Sequence, residues 1–221
     1  MSYPPNHQDF IECVKFNNVE KVEQYLENAG DDLEKYLELE TNDKKILFLA
    51  SSYDAWDVVL KFIEFGADLD IHQFDTNWSF AHEAASKETP FNVFKNVMPY
   101  VDLSVQTRTG KTPLMIAIEA SPEKALFILK NIPINDNALM LLDAKGKSAL
   151  DYAMQKNHQE TIELLKQMMD NKETQSMLVN KESNDNNPTV ITNNEVEAEK
   201  ALSKQEAAGL STITKKIKSR I

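Results

Sequence analysis

An alanine closes a similar eight-residue segment at four places in the chain, Ala50, Ala84, Ala117 and Ala153, with steps of 34, 33 and 36 residues. The segments read DKKILFLA from Asp43, NWSFAHEA from Asn77, GKTPLMIA from Gly110 and GKSALDYA from Gly146. Nine residues after each alanine stands an aliphatic residue: Val59, Val93, Leu126 and Ile162. A phased period of this length leaves few folds open. A unit of roughly 30–40 residues cannot bury an apolar face alone, so units must stack and share one continuous core. Around Val59, the residues Val58, Phe62 and Ile63 recur at helical spacing. Each unit is therefore expected to be a short helix, a turn, a second helix and a loop leading to the next unit.

Further landmarks fall in register with the alanines. Thr112, Pro113 and Leu114 form a TPL run, and His82 stands two residues before Ala84. Gly66, Ala67 and Asp68 form a GAD run at the end of one unit, and Gly110 and Gly146 open two segments. The set resembles the ankyrin repeat, a β-turn plus two helices around a T-P-L-H-x-A core. The resemblance implies an all-α helix-turn-helix solenoid of about five repeats, followed by a flexible C-terminal tail. Residues 8–30 read as a worn first copy, with Cys13 at the alanine position and Val22 nine residues on. The repeat domain then occupies 1–170, with units at about 8–40, 41–73, 74–106, 107–142 and 143–170.

Local chemistry gives several residues a structural role. Thr112, Ser79 and Ser148 stand where a hydroxyl can cap the first helix of a unit, whereas Lys45 cannot. Pro113 follows at a position where a missing N–H costs nothing. The chain has only five glycines, so Asp43, Asp54, Asn77, Ser121 and Asn157 are expected to take over turns where the family has glycine. Asn17 and Asn18 do the same in the first copy, since asparagine tolerates a left-handed backbone. Extra length appears as DDLEKYLELE before the second unit and as NDNALMLLD before the fifth. The second insert is expected to form an extra helical turn packed beneath the stack.

Composition changes near residue 170. The formal charge of −11 divides into −12 before residue 171 and +1 from there on. The stretch 171–194 is rich in Asn, Ser, Thr and Lys and reads as a disordered linker. Residues 195–221 read as a tail with a short helix and a basic end, Lys215, Lys216, Lys218 and Arg220. An acidic chain of this kind is a poor ligand for nucleic acid. No apolar run is long enough for membrane insertion. The single cysteine, Cys13, suits a reducing compartment and is expected to be buried packing.

Catalytic patterns are lacking: there is no GxxxxGK[ST], no GxGxxG and no HExxH. His82 matches the family histidine that ties neighbouring turns by hydrogen bonds, and no second His or Cys at ligand spacing argues for a metal there. His158 is likewise expected to be structural. No enzyme activity, cofactor or metal is therefore expected. What the resemblance does imply is noncatalytic protein–protein interaction, through a concave groove formed by loop tips and the ends of the first helices. In register, the groove residues are Phe16, Tyr53, Trp78, Lys87, Arg108, Lys111, Lys145, Lys147 and Lys156. They give an aromatic end and a basic end, suited to an acidic or mixed peptide of a partner protein. The expected protein is a cytoplasmic monomer. An alternative is a secreted bacterial type IV effector that captures a host protein in the host cytoplasm. Its motive is a C-terminal tail with Glu195, Glu197, Glu199 and Glu206, similar to translocation signals of such effectors. A third reading has the basic terminus docking on the acidic repeats as a regulatory segment.

Overall fold

Helices alternate with short tight loops from His7 onward, as the period demands. The computed structural model describes residues 6–41, 44–134 and 136–182. In chain order the helices are α1 (His7–Lys15), α2 (Val19–Glu27), α3 (Leu33–Leu37), α4 (Ile46–Ser52), α5 (Trp56–Glu64), α6 (Phe80–Ala85), α7 (Phe91–Val97), α8 (Pro113–Ala120), α9 (Pro122–Asn131), α10 (Asp136–Met140), α11 (Ala149–Lys156) and α12 (Gln159–Glu182). Two antiparallel ladders of two residues a side, β1 (Glu40–Thr41) with β2 (Lys44–Lys45) and β3 (His72–Gln73) with β4 (Trp78–Ser79), form projecting fingers. The fourth and fifth fingers are closed by backbone bonds without a ladder: Thr107 N–H to Lys111 O at 2.9 Å with Gly110 N–H to Thr107 O at 2.8 Å, and Asp143 N–H to Lys147 O with Gly146 N–H to Asp143 O, each 2.9 Å. The chain is an all-α repeat solenoid in which these ladders are local turns.

First helices stack on first helices: α1 on α4, α4 on α6, α6 on α8 and α8 on α11. Second helices stack in the same order, α2 on α5, α5 on α7 and α7 on α9. The repeat alanines Ala50, Ala84, Ala117 and Ala153 are fully buried between them. A methyl group there allows close approach of neighbouring helices, which is why the position is small. Phe10, Phe62, Phe80, Phe94, Leu114 and Ile118 fill the rest of one continuous core. Cys13 departs from the expected burial and is only half-buried. It belongs to the first unit, which is covered on one side, and it lines an open hollow with Asp9, Glu12 and Tyr25.

Helix starts follow the sequence chemistry. The Thr112 hydroxyl accepts from Met115 N–H at 3.3 Å, Ser79 from His82 N–H at 3.4 Å and Ser148 from Asp151 N–H at 3.2 Å. Lys45 makes no such bond. Turn positions are left-handed at Asn17, Asp54, Asn77 and Asn157, with φ between 51° and 56°. Ser121 is a correction: it is extended, with φ −164°, and caps α9 by accepting from Lys124 N–H at 3.1 Å. Pro122 then opens α9, and the residue before a proline favours extended backbone. Asn18 caps α2 rather than turning left-handed. Asp43 lies outside the described residues.

The first insert forms α3 and lays Tyr36 edge-on against Phe10, with centroids 4.7 Å apart. The second insert forms α10, with Ala138 and Leu139 buried, but Met140 and Leu142 remain exposed. At the C-terminal side, residues 171–182 continue α12 instead of starting a linker. The run QMMDNKETQSMLVNKE holds no glycine or proline and many good helix formers. The remainder of the expected linker, the short tail helix and the basic end at Lys215, Lys216, Lys218 and Arg220 lie outside the described residues.

Candidate functional site

The residue three after each repeat alanine, or after Cys13, stands at the end of the first helix or just past it. The residues at this point are Phe16, Tyr53, Lys87, Ala120 and Lys156. Phe16 is 82% exposed and Tyr53 52%. The Lys15 ammonium lies over the Tyr53 ring, 5.5 Å from its centroid. These aromatics occupy equivalent positions in successive repeats, so they form one end of a ridge. Lys87 and Lys156 are exposed further along it.

Alongside the ridge run the fingers, and these are tied to one another. Arg108 N–H donates to Thr76 O at 2.9 Å, and the Arg108 guanidinium donates to Phe74 O at 3.1 Å. Asn77 Nδ2 donates to Gln106 O at 2.6 Å. On the next step, Ala144 N–H donates to Thr109 O at 2.9 Å and Gln106 Nε2 to Leu142 O at 3.0 Å. The fingers of repeats three to five are thus fixed in position before any partner arrives, which lowers the ordering cost of binding.

Trp78 stands in the wall between fingers and ridge. It is half-buried, its Nε1 donates to Glu83 Oε2 at 2.8 Å, and its ring lies 5.4 Å from the His82 ring. His82 is fully buried and both ring nitrogens are engaged. Ser79 N–H donates to Nδ1 at 3.1 Å, so Nε2 carries the proton and donates to Lys111 O at 2.9 Å. Burial pushes the His82 pKa down to about 4, despite the bond to Lys111 O. This histidine links two neighbouring repeats and has no nitrogen left for a ligand.

The expected basic residues divide into two kinds. The Lys111 ammonium is neutralised by Glu119 at 2.6 Å and lies 5.3 Å from the Tyr152 ring centroid. Lys147 lies 5.8 Å from the same ring and donates to the neutral Gln155 Oε1 at 2.9 Å. Lys87, Lys145, Lys147 and Lys156 form no ion pair among the described residues. Asp143, beside Lys145 and Lys147, is committed to structure. It accepts from Lys145 N–H and Lys147 N–H, each 2.8 Å, and from the Tyr152 hydroxyl at 2.8 Å. The Lys147 N–H bond leads the causes that hold its pKa below the ordinary carboxylate value.

Four of the nine expected residues, Trp78, Lys87, Arg108 and Lys111, come together around one hollow of about 540 Å³ between the third and fourth repeats. Phe16, Tyr53, Lys145, Lys147 and Lys156 do not line it. Its surface is mostly apolar, with Ile116 and Ala120 at its floor. Two residues beside it were not anticipated. Phe74 projects from the third finger, 91% exposed, while its carbonyl holds Arg108. Lys124 is 5% exposed and reaches from α9 across to the end of α6. Its ammonium donates to Ser86 O and to Thr89 O, the latter at 2.8 Å, and lies 5.3 Å from the Phe94 centroid. Burial pushes its pKa down to about 8. Here α6 ends on extended Ser86 rather than on a left-handed turn residue, so the ammonium serves carbonyls that such a turn would otherwise satisfy.

A family model for ankyrin repeats, in three copies, matches residues 81–176. Residues 81–176 thus carry ankyrin repeats. The matched span takes in the third to fifth repeats, with His82, the TPL run and the hollow's floor. A solved structure similar to this chain is that of the Bd0816 predatory endopeptidase from Bdellovibrio bacteriovorus in complex with immunity protein Bd3460. That similarity has 21% sequence identity and a TM-score of 0.49, and covers 72% of this chain and 96% of the other. No curated protein matches the chain. Ankyrin repeats are a protein–protein interaction module, and among the described residues no helix is long and apolar enough to cross a membrane.

Proposed function

We propose that this protein is a noncatalytic, monomeric, cytoplasmic binding module that holds an extended acidic or mixed-charge segment of a partner protein. The segment lies along a concave face made by the ankyrin first-helix ridge and the finger edge. Phe16 and Tyr53 form the aromatic end of that face. Trp78 is its wall, Lys87, Arg108 and Lys111 stand there beside carboxylates, and Lys145, Lys147 and Lys156 give the face its positive end within a chain of net charge −11. The observation that carries the reading is the pair of exposed aromatics at equivalent helix ends, in line with Lys87 and Lys156, which form no ion pair among the described residues. Aromatic side chains fixed on helices lose little entropy on binding and are frequent interface anchors.

The test is capture of partner proteins by the intact chain and by a Phe16→Ala, Tyr53→Ala variant. Both side chains are largely exposed, so circular dichroism of the variant is expected to match the parent. A partner held by the parent and lost by the variant supports the reading. A partner held equally by both refutes it, because the aromatic end would then contribute nothing.

A further inference from the structure

The hollow between the third and fourth repeats has a chemistry of its own. Trp78, Ile116 and Ala120 give it apolar walls and floor. The charges that line it balance: Lys111 is paired with Glu119, and Lys87 and Arg108 stand beside Asp75 and Glu88. A cavity of this kind discriminates by the size and apolarity of what enters it. The surroundings are different. Immediately along the finger edge come Lys145 and Lys147, which form no ion pair among the described residues; the neighbouring carboxylate of Asp143 is held by backbone N–H groups and the Tyr152 hydroxyl. The walls are also held in place from behind. Trp78 is fixed by Glu83 and His82, and Arg108 by Thr76 O and Phe74 O.

We infer that this hollow is an anchor pocket for one large apolar side chain of the partner segment, with carboxylates of the same segment lying over the Lys145–Lys147 finger. The inference rests on the binding-module reading and makes it specific: the partner motif is an aromatic residue with Asp or Glu within a few positions on one side of it. Apolar contact in the hollow supplies the affinity, and the adjacent cations supply orientation and sign.

The experiment uses the full chain and three synthetic peptides, Ac-Phe-Asp-Glu-Glu-NH2, Ac-Ala-Asp-Glu-Glu-NH2 and Ac-Phe-Lys-Lys-Lys-NH2, with the reversed order of the first as a fourth. The readout is the indole N–H resonance of Trp78, assigned with Trp78→Phe, followed during titration to millimolar peptide. A saturating shift is expected with an acidic phenylalanine peptide in one of its two orders. The alanine peptide is expected to bind about tenfold more weakly, as is the lysine peptide. Ala120→Arg fills the floor and is expected to abolish the shift with circular dichroism unchanged. Equal response to the alanine peptide overturns the anchor, equal response to the lysine peptide overturns the charge sense, and no response to either acidic phenylalanine peptide overturns the pocket. In each of those cases, partner capture that still depends on Phe16 and Tyr53 leaves the broader reading standing.

Discussion

Replacing Gly110 by alanine would place a methyl carbon where the backbone of the next finger already lies. Gly110 has φ +77°, and a Cβ built on it meets Ala144 N and Asp143 Cα, each at 2.8 Å. Two costs follow. A left-handed backbone costs a non-glycine residue about 1–2 kcal/mol. The contact is about 0.7 Å inside normal carbon separation, and relief by shifting a packed backbone costs a further 1–3 kcal/mol or so. Gly146 provides the control, because it has φ +74° with nothing within 4 Å of its Cβ position. Gly146→Ala therefore carries only the first cost. Gly110→Ala is expected to lose about 2–5 kcal/mol and Gly146→Ala about 1–2 kcal/mol, to be measured by urea unfolding followed by circular dichroism. Amide exchange locates the damage, since the Ala144 N–H donates to Thr109 O and is the bond most directly displaced. Equal losses in the two variants would refute the close-approach argument and reduce both glycines to a common backbone preference.

Three further outcomes are expected. His82 is held near pKa 4 against 6.5 in the unfolded chain, so the unfolded state binds the extra proton between those values and stability falls as pH drops from 6.5 to 4. His158, also pushed down by burial, acts with the same sign, and the pH slope from urea midpoints is expected to flatten in His82→Gln. Lys124→Met leaves Ser86 O and Thr89 O without their donor and is expected to destabilise by about 1–3 kcal/mol. Because Lys124 loses its proton near pH 8 when folded and near 10.5 when unfolded, its contribution grows more favourable as pH rises through that window. A stability–pH difference curve between parent and Lys124→Met shows whether that rise disappears. Lys45→Ser supplies the missing cap of α4 at an already extended position, φ −61° and ψ 149°, and is expected to raise stability by about 0.5–1 kcal/mol, or a few degrees in Tm at this size.

Those features divide according to how local their causes are. The caps at Ser79, Thr112 and Ser148 and the left-handed turns at Asn17, Asp54, Asn77 and Asn157 depend on a residue and its immediate neighbours, and all were legible in the chain. Ser121 was misread because the family pattern suggested a turn, while Pro122 beside it had already restricted the backbone. The role of Lys124 was not legible at all. A lysine in a second helix normally reads as a solvated charge, and its burial follows from how α6 ends, some 35 residues earlier in sequence. The ridge of Phe16, Tyr53, Lys87 and Lys156 came from repeat register alone. The hollow did not, since it needs Ile116 and Ala120 from one repeat set against Trp78 and Lys87 of another. Phe74 was passed over because exposure at a finger tip depends on the turn that carries it. Its one early signal was an aromatic residue among polar ones in the segment QFDTNW.

The reach of Lys124 into the preceding repeat also bears on how such an array can change over generations. Repeat proteins commonly lengthen and shorten by copying or losing whole units, which works when any unit can sit beside any other. In this chain the fourth unit brings a cation that is received by carbonyls at the third unit's helix end. His82 adds a second such dependence, donated from the third unit to Lys111 O of the fourth. Loss of either unit would leave polar groups of the other without these partners, so the two units are expected to tolerate deletion or duplication best when moved together.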